Sequence, residues 1–350
     1  MILSTKLLST RYQVDERSVQ DFLHEKGWTD GLPVIAPTPE RVLSCLEEAG
    51  LAPDQVIGVE PVRERPITAE KAAVNAVLAG CQPAHFPVVA AVLEAMCRPE
   101  FLLHGATSST GGCAVLIVVN GPVRLTLGME PTFNALGNSD RASAMIGRAV
   151  RLVLNNVLDL RPGRLDRATL GHPGKFGYCL AEDEGSSDWT PLAQLRGAPT
   201  GVSAVTVLAA GAPRQIMNEW TTVPEEILET FAAEMRANML HYSIWGGNYA
   251  IIVPKQLRDR LQDAGWSKQH VQQFLFERAR VTKRDWTRVG KGALVTVTNG
   301  DEEHVALPSP TDLLVIAAGG PAGGFGAVIP PWFGTKSRAV TTGVGVCFAC

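Results

Sequence analysis

No stretch of this 350-residue chain reaches the roughly 18 consecutive apolar residues of a membrane-spanning helix. The opening residues, Met1 to Arg17, turn charged without the apolar core of a secretory signal. Charge is also scarce: Asp, Glu, Lys and Arg make up 19% of the chain and balance to a net −3 with no basic run. That removes the electrostatic footprint by which a protein holds nucleic acid or an anionic membrane surface. Low-complexity blocks are missing too. These absences predict a globular, cytoplasmic protein without nucleic-acid or membrane partners. With 45% hydrophobic residues, the chain has ample material for a core.

Several catalytic signatures are absent as well. There is no Gly-Lys-Ser/Thr phosphate loop and no GxSxG nucleophile elbow. Nor is there a second Cys-x-x-Cys or a paired-His metal motif, so the spacing does not demand a metal. Gly319-Gly320-Pro321-Ala322-Gly323-Gly324-Phe325-Gly326 has the glycine density of a dinucleotide loop, but Pro330-Pro331 breaks the helix that should follow. A lid or substrate loop is the better expectation there.

Of the seven cysteines, Cys45, Cys81, Cys97, Cys113 and Cys179 stand singly in apolar or mixed segments and read as free, mostly buried thiols. Cys347 and Cys350 alone have a motif spacing, on the last four residues of the sequence. Such a pair can close into a disulfide or open into a reactive dithiol. Gly343 and Gly345 just before it would let residues 336–350 act as a mobile redox tail.

Hydrophobic patterning predicts a mixed α/β or α+β fold. Continuous apolar runs at Cys113–Val119, Ser203–Ala210, Tyr249–Val253 and Leu313–Ala318 read as strands buried on both faces. Helical patterns at Thr38–Ala49, Thr68–Ala79, Ala84–Arg98, Ser139–Leu158, Pro224–Asn238, Gln256–Ala264 and Ser267–Arg280 alternate with them. An internal echo divides the chain. Leu103-His104, Gly111-Gly112 and the strand from Cys113 match Leu240-His241, Gly246-Gly247 and the strand at Tyr249. A second echo sets Val205–Gly211 beside Leu314–Gly320. The expectation is an N-terminal arm over 1–40, a first α/β lobe over 41–200, a related second lobe over 201–335 and the tail, with the Gly-Gly loops facing a shared cleft.

Candidate chemistry follows from that picture. His104 and His241, at equivalent places, and His172 in the turn Gly171–Gly177 are candidate proton carriers. Lys175 and Arg141 are candidate anchors for an acidic group, Arg141 in a polar helix entry with Asn134, Asn138 and Asp140. Ser109, Thr110, Gly111, Gly112, Gly246 and Gly247 would bring backbone amides close to a ligand. Cys347, Cys350, His104 and His241 together would suit zinc or copper if a metal is present.

Several segments carry a family resemblance: Gly27-Trp28-Thr29-Asp30-Gly31-Leu32-Pro33-Val34, Glu70–Cys81, Asn120-Gly121-Pro122, Ile146–Leu152, His172-Pro173-Gly174-Lys175, Trp266-Ser267-Lys268 and Glu277-Arg278-Ala279-Arg280. Over most of residues 27–345 the chain resembles the bacterial UGSC-type (seleno)proteins. Cys347-Phe348-Ala349-Cys350 is similar to that family's four-residue selenocysteine or cysteine motif in spacing, with Phe348-Ala349 in place of Gly-Ser. The resemblance implies an enzyme with redox sulfur chemistry and leaves the substrate open.

The expected activity is that of a thiol-dependent oxidoreductase or lyase on a small, carboxylate-bearing metabolite, served by a thiol reductant or redox partner protein. A metal-dependent enzyme and a non-catalytic binding or assembly protein with a structural Cys pair are the alternatives. Homo-oligomerisation stays open.

Overall fold

The computed structural model describes residues 6–137, 139–242, 246–294, 300–332 and 337–345. The chain runs through α1 (Val19–Glu25), α2 (Pro39–Ala49), the hairpin β1 (Val56–Glu60) and β2 (Arg65–Thr68), α3 (Ala69–Ala79), α4 (Phe86–Cys97) and α5 (Leu103–Ser108). Next come β3 (Ala114–Asn120), α6 (Val123–Thr126), α7 (Arg141–Asn156), β4 (Cys179–Ala181), α8 (Leu192–Leu195), β5 (Ala204–Ala210) and β6 (Arg214–Met217). The second half holds α9 (Pro224–His241), β7 (Tyr249–Val253), α10 (Lys255–Asp263), α11 (Lys268–Arg278), β8 (Arg280–Thr282) and α12 (Lys283–Arg288). It closes with β9 (Glu303–Val305), β10 (Leu313–Ala317), β11 (Phe325–Ile329) and β12 (Val340–Gly343).

The apolar runs form two four-stranded mixed sheets, ordered β12-β5-β3-β4 and β10-β7-β11-β6. Alternation along each strand explains why these runs are apolar throughout. Leu116 and Val118 of β3, Leu208 of β5, Ile252 of β7, Leu314 and Ile316 of β10 and Ile329 of β11 meet in one cluster between the sheets. Their neighbours Ile117, Val119, Val205 and Val207 turn the other way, into a core with α2, α3, α4 and α7. Ile251, Val253, Leu313 and Val315 likewise face α9, α10 and α11. The result is four layers, helix–sheet–sheet–helix, in which both faces of both sheets are covered. Among the described residues, no helix is long and apolar enough to cross a membrane.

The two sheets share one plan. β3 has β4 as a parallel neighbour and β5 then β12 as antiparallel ones. Around β7 the same places are taken by β10, β11 and β6. The first sequence echo therefore matches the central strands β3 and β7. The second does not correspond: β5 is the antiparallel neighbour of β3, whereas β10 is the parallel neighbour of β7.

Each outer strand on the antiparallel side is exchanged. β6 follows β5 in sequence but joins the β7 sheet, and β12 follows β11 but joins the β3 sheet. The crossing segments bond to each other, Gly211 N to Pro330 O at 2.8 Å and Trp332 N to Ala209 O at 2.8 Å.

A buried polar seam joins the layers at the carboxyl ends of β3, β4 and β10. Lys268 Nζ donates to Glu182 Oε1 with both side chains only 1% exposed. Glu182 also accepts from Asn120 Nδ2 at 2.7 Å, Leu192 N at 2.6 Å and Ala317 N at 3.1 Å. Arg258 Nη2 bonds Asp183 Oδ2 at 2.7 Å beside it. The carboxylate run Glu182-Asp183-Glu184 is thus largely withdrawn from solvent. The N-terminal arm is tied to this body: Asp30 makes a two-pronged bond to Arg148 of α7, 2.8 Å on each side.

Candidate functional site

Where the exchanged strands cross, a cleft of about 1090 Å³ opens. Its walls come from both halves: the arm at Gly27 to Asp30, Gly111-Gly112 before β3, Arg151 and Asn155 on α7, the loop from Arg161 to Phe176, Gly211 to Arg214, Pro330, and Asn238 and Tyr242 at the end of α9. A cleft at the upper end of the size of small-molecule sites, shared between two layers, is where a ligand is expected.

The Gly111-Gly112 turn is built for close approach. Gly112 has φ +68°, and a Cβ there would lie 2.8 Å from Gly171 N. Thr169 N donates to Thr110 O at 3.1 Å, and Tyr242 OH donates to Gly111 O at 3.3 Å. Burial pushes that phenol up to about 12, so it stays a neutral donor. Ser109 turns away from the cleft chemistry, its Oγ accepting from Gly111 N and from Trp332 Nε1, both at 3.0 Å.

Cations dominate the cleft. Lys175 Nζ reaches both oxygens of Asp166 at 2.9 and 2.7 Å, and Arg151 Nη2 reaches the same carboxylate at 2.9 Å. Two positive charges therefore share one negative. Burial raises the Asp166 pKa, but the bonds from Lys175 and Arg151 outweigh it and hold the carboxyl below its ordinary value. Arg161 stands 3.4 Å from Asp159. Arg214, exposed at the start of β6, has no ion-pair partner among the described residues. The balance is an excess of positive charge facing the cavity.

His172 sits in this wall with both ring nitrogens committed. Nδ1 accepts from Gly174 N at 3.2 Å, which places the proton on Nε2, 3.2 Å from Ala210 O. Burial lowers its pKa, so the ring is neutral at neutral pH and pins the turn to the end of β5.

Other sequence-derived candidates lie elsewhere. His104 has Nδ1 3.6 Å from Glu60 Oε1 in the first half. His241, exposed on the last turn of α9, feels the Arg214 charge, and neither histidine is in the cleft walls. Arg141 donates to Gly80 O at 3.2 Å, ten residues along α7 from Arg151 and hence about 15 Å away along the helix. Gly246 and Gly247 approach protein: a Cβ would lie 2.9 Å from Ala306 O and 3.0 Å from Pro331 respectively. Cys347, Cys350 and Asn138 fall outside the described residues. Among the described residues, no group of three or more His, Cys, Asp or Glu is arranged to hold a metal ion.

The five described cysteines are free thiols. Burial pushes Cys45 up to about 11 and Cys97 and Cys113 up to about 12, and raises Cys81 and Cys179 further still. All five are thereby poor nucleophiles. Sequence reasoning missed Arg151, Asn155, Asp166, Arg214, Asn238 and Tyr242. Only Arg148 and Arg151, spaced three apart on one helix, gave a sequence signal.

Comparison with known protein families, with curated proteins and with solved structures gives no match.

Proposed function

We propose that the cleft binds a small carboxylate-bearing metabolite and that the chain is a thiol-dependent oxidoreductase or lyase of the cytoplasm. The observation that carries the reading is the charge imbalance: Lys175 and Arg151 share Asp166 while Arg214 stands unpaired. The thiol half rests on a contrast, since burial disarms the five described cysteines and leaves Cys347 and Cys350 to supply reactive sulfur. Closing that pair into a disulfide would deliver two electrons and two protons to the substrate, and a thiol reductant or redox partner protein would reopen it.

The test is calorimetric titration of 3-phenylpropionate and phenyl phosphate into wild type and Arg214→Ala, with reactive thiols counted before and after mild reduction. Expected are binding of the carboxylate, a loss of tenfold or more in Arg214→Ala, and two reducible thiols that vanish in Cys350→Ser. Tighter binding of the phosphate, or affinity indifferent to Arg214, overturns the carboxylate site. Thiol counts unchanged by reduction overturn the redox pair.

A further inference from the structure

Arg161 enters the cleft where the N-terminal arm forms its wall. Its backbone is fixed by the turn after α7: Leu160 N donates to Leu154 O at 2.9 Å, and Arg161 O accepts from Arg164 N at 3.1 Å and Asp166 N at 3.2 Å. The side chain then lies across Gly27. A Cβ on that residue would stand 2.6 Å from Arg161 Nη1, 3.7 Å from Cζ and 3.9 Å from Nη2. Gly27 and Arg161 both line the cleft, so the guanidinium sits at its arm end, with the side chain 33% exposed.

Little in the protein answers this charge. Asp159 Oδ1 is 3.4 Å from Arg161 Nε, and Arg164 Nη2 approaches the same carboxylate at 3.5 Å. The guanidinium donates no hydrogen bond to protein among the described residues. Asp30, which also lines this end, is already met by Arg148 at 2.8 Å on each side.

Gly27 answers two separate demands. With φ +66° it ends α1 in the left-handed conformation, Gly27 N donating to His24 O at 2.8 Å and Trp28 N to Leu23 O at 3.0 Å. Asparagine also serves at such a cap. The absence of a Cβ is the second demand, and Arg161 makes it.

We propose that Arg161, seated on Gly27, is a second anion site at the arm end of the cleft, and that the ligand is a diacid. The inference rests on the reading of the cleft as a carboxylate site and deepens it. Arg161 reaches the cleft from the arm wall and Arg214 from β6 of the other sheet, so each takes its own acidic group. The planar fork of Arg161 suits a carboxylate, which it can bind through two parallel N–H bonds. A monoacid fills one site and leaves the other positive charge unanswered. With both acids on one chain the second contact becomes intramolecular, and affinity peaks at the chain length that spans the sites.

The experiment titrates α,ω-dicarboxylates from glutarate to sebacate by calorimetry, each beside the monoacid of the same carbon number. One length should bind wild type at least tenfold more tightly than its monoacid. Arg161→Met keeps the apolar stem and removes the charge. It should bring that diacid to within threefold of the monoacid and leave the monoacid unchanged. Gly27→Asn keeps the left-handed cap but puts a Cβ where the guanidinium lies, so it should cause the same loss. The double variant should bind no more weakly than Arg161→Met, because a residue acting through Arg161 then has nothing further to lose. Gly50→Asn is the control, at φ +65° after α2 with nothing within 4 Å of its Cβ, and should bind as wild type. Thermal unfolding of each variant checks that the fold is retained. The second site is overturned, and the carboxylate reading left standing, if no diacid exceeds its monoacid or the advantage survives Arg161→Met. A monoacid weakened by Arg161→Met as much as the diacid overturns it too. An advantage that survives Gly27→Asn, or losses that add in the double variant, overturns the role of Gly27. Failure of every acid to bind overturns both the second site and the reading it rests on.

Discussion

Asp166 is 3% exposed, yet two cations and the Ala168 amide converge on it. Its folded pKa lies below the unfolded value near 3.9. Between the two values the unfolded chain binds more protons, so the stabilisation is present above about pH 4 and is lost as pH falls through the folded value. Asp166→Asn should cost about 2–3 kcal/mol at pH 7, because Lys175 and Arg151 are left adjacent without a counter-charge. Urea unfolding at pH 7 and pH 3 measures it: the variant should lose less stability on acidification than wild type, and equal losses would remove Asp166 from that role. Little of this was legible in the sequence. His172 and Lys175 stand out because they flank a Pro-Gly turn, whereas Asp166 lies in an irregular loop with no period to mark it. Arg214 and Asn238 reach the cleft from the other sheet, and no local pattern announces that meeting.

Four strands were legible because burial on both faces writes one unbroken apolar run, as in β3, β5, β7 and β10. The internal strand β11 was not, because it begins at Phe325-Gly326, inside the glycine-rich segment expected to be a lid or substrate loop. The outer strands β6 and β12 were not. Each has four residues, and β6 exposes Arg214 and Gln215. Their strand state comes from distant neighbours, which is tertiary context overriding local propensity. The seam residue Lys268 shows the same limit, since its position one residue after a helix cap reads as surface. Burial lowers its pKa, and the Glu182 charge opposes that shift. Lys268→Met should destabilise the fold by roughly 3–5 kcal/mol, since it leaves Glu182 charged and buried with amide donors alone. Adding Glu182→Gln should recover part of that loss. A double variant no more stable than the single one, in guanidinium melts, would show that the pair is not coupled.

At the scale of the whole molecule, the exchange of β6 and β12 means that neither sheet is completed by a continuous half of the chain. A cut between residues 200 and 201 separates β5 and β12 from β3 and β4. Fragments 1–200 and 201–350 should therefore each lack near-ultraviolet circular dichroism alone and regain it when refolded together. A native-like signal from either fragment by itself would contradict this. The echo between β3 and β7 was visible in sequence, but the crossing that binds the halves was not. It depends on which sheet a four-residue strand joins, and that is decided some hundred residues away.

The same crossing bears on how the cleft would meet the ligand proposed for it. Clefts between hinged lobes spend time open and empty, and part of the binding free energy goes into closing them. Here the crossing segments beside the opening are hydrogen-bonded to each other, Gly211 to Pro330 and Trp332 to Ala209, and the layer behind them is apolar, which opposes a swing of one half against the other. For the anionic ligand proposed above, association would then be set by diffusion and by the pull of Arg214, Lys175 and Arg151.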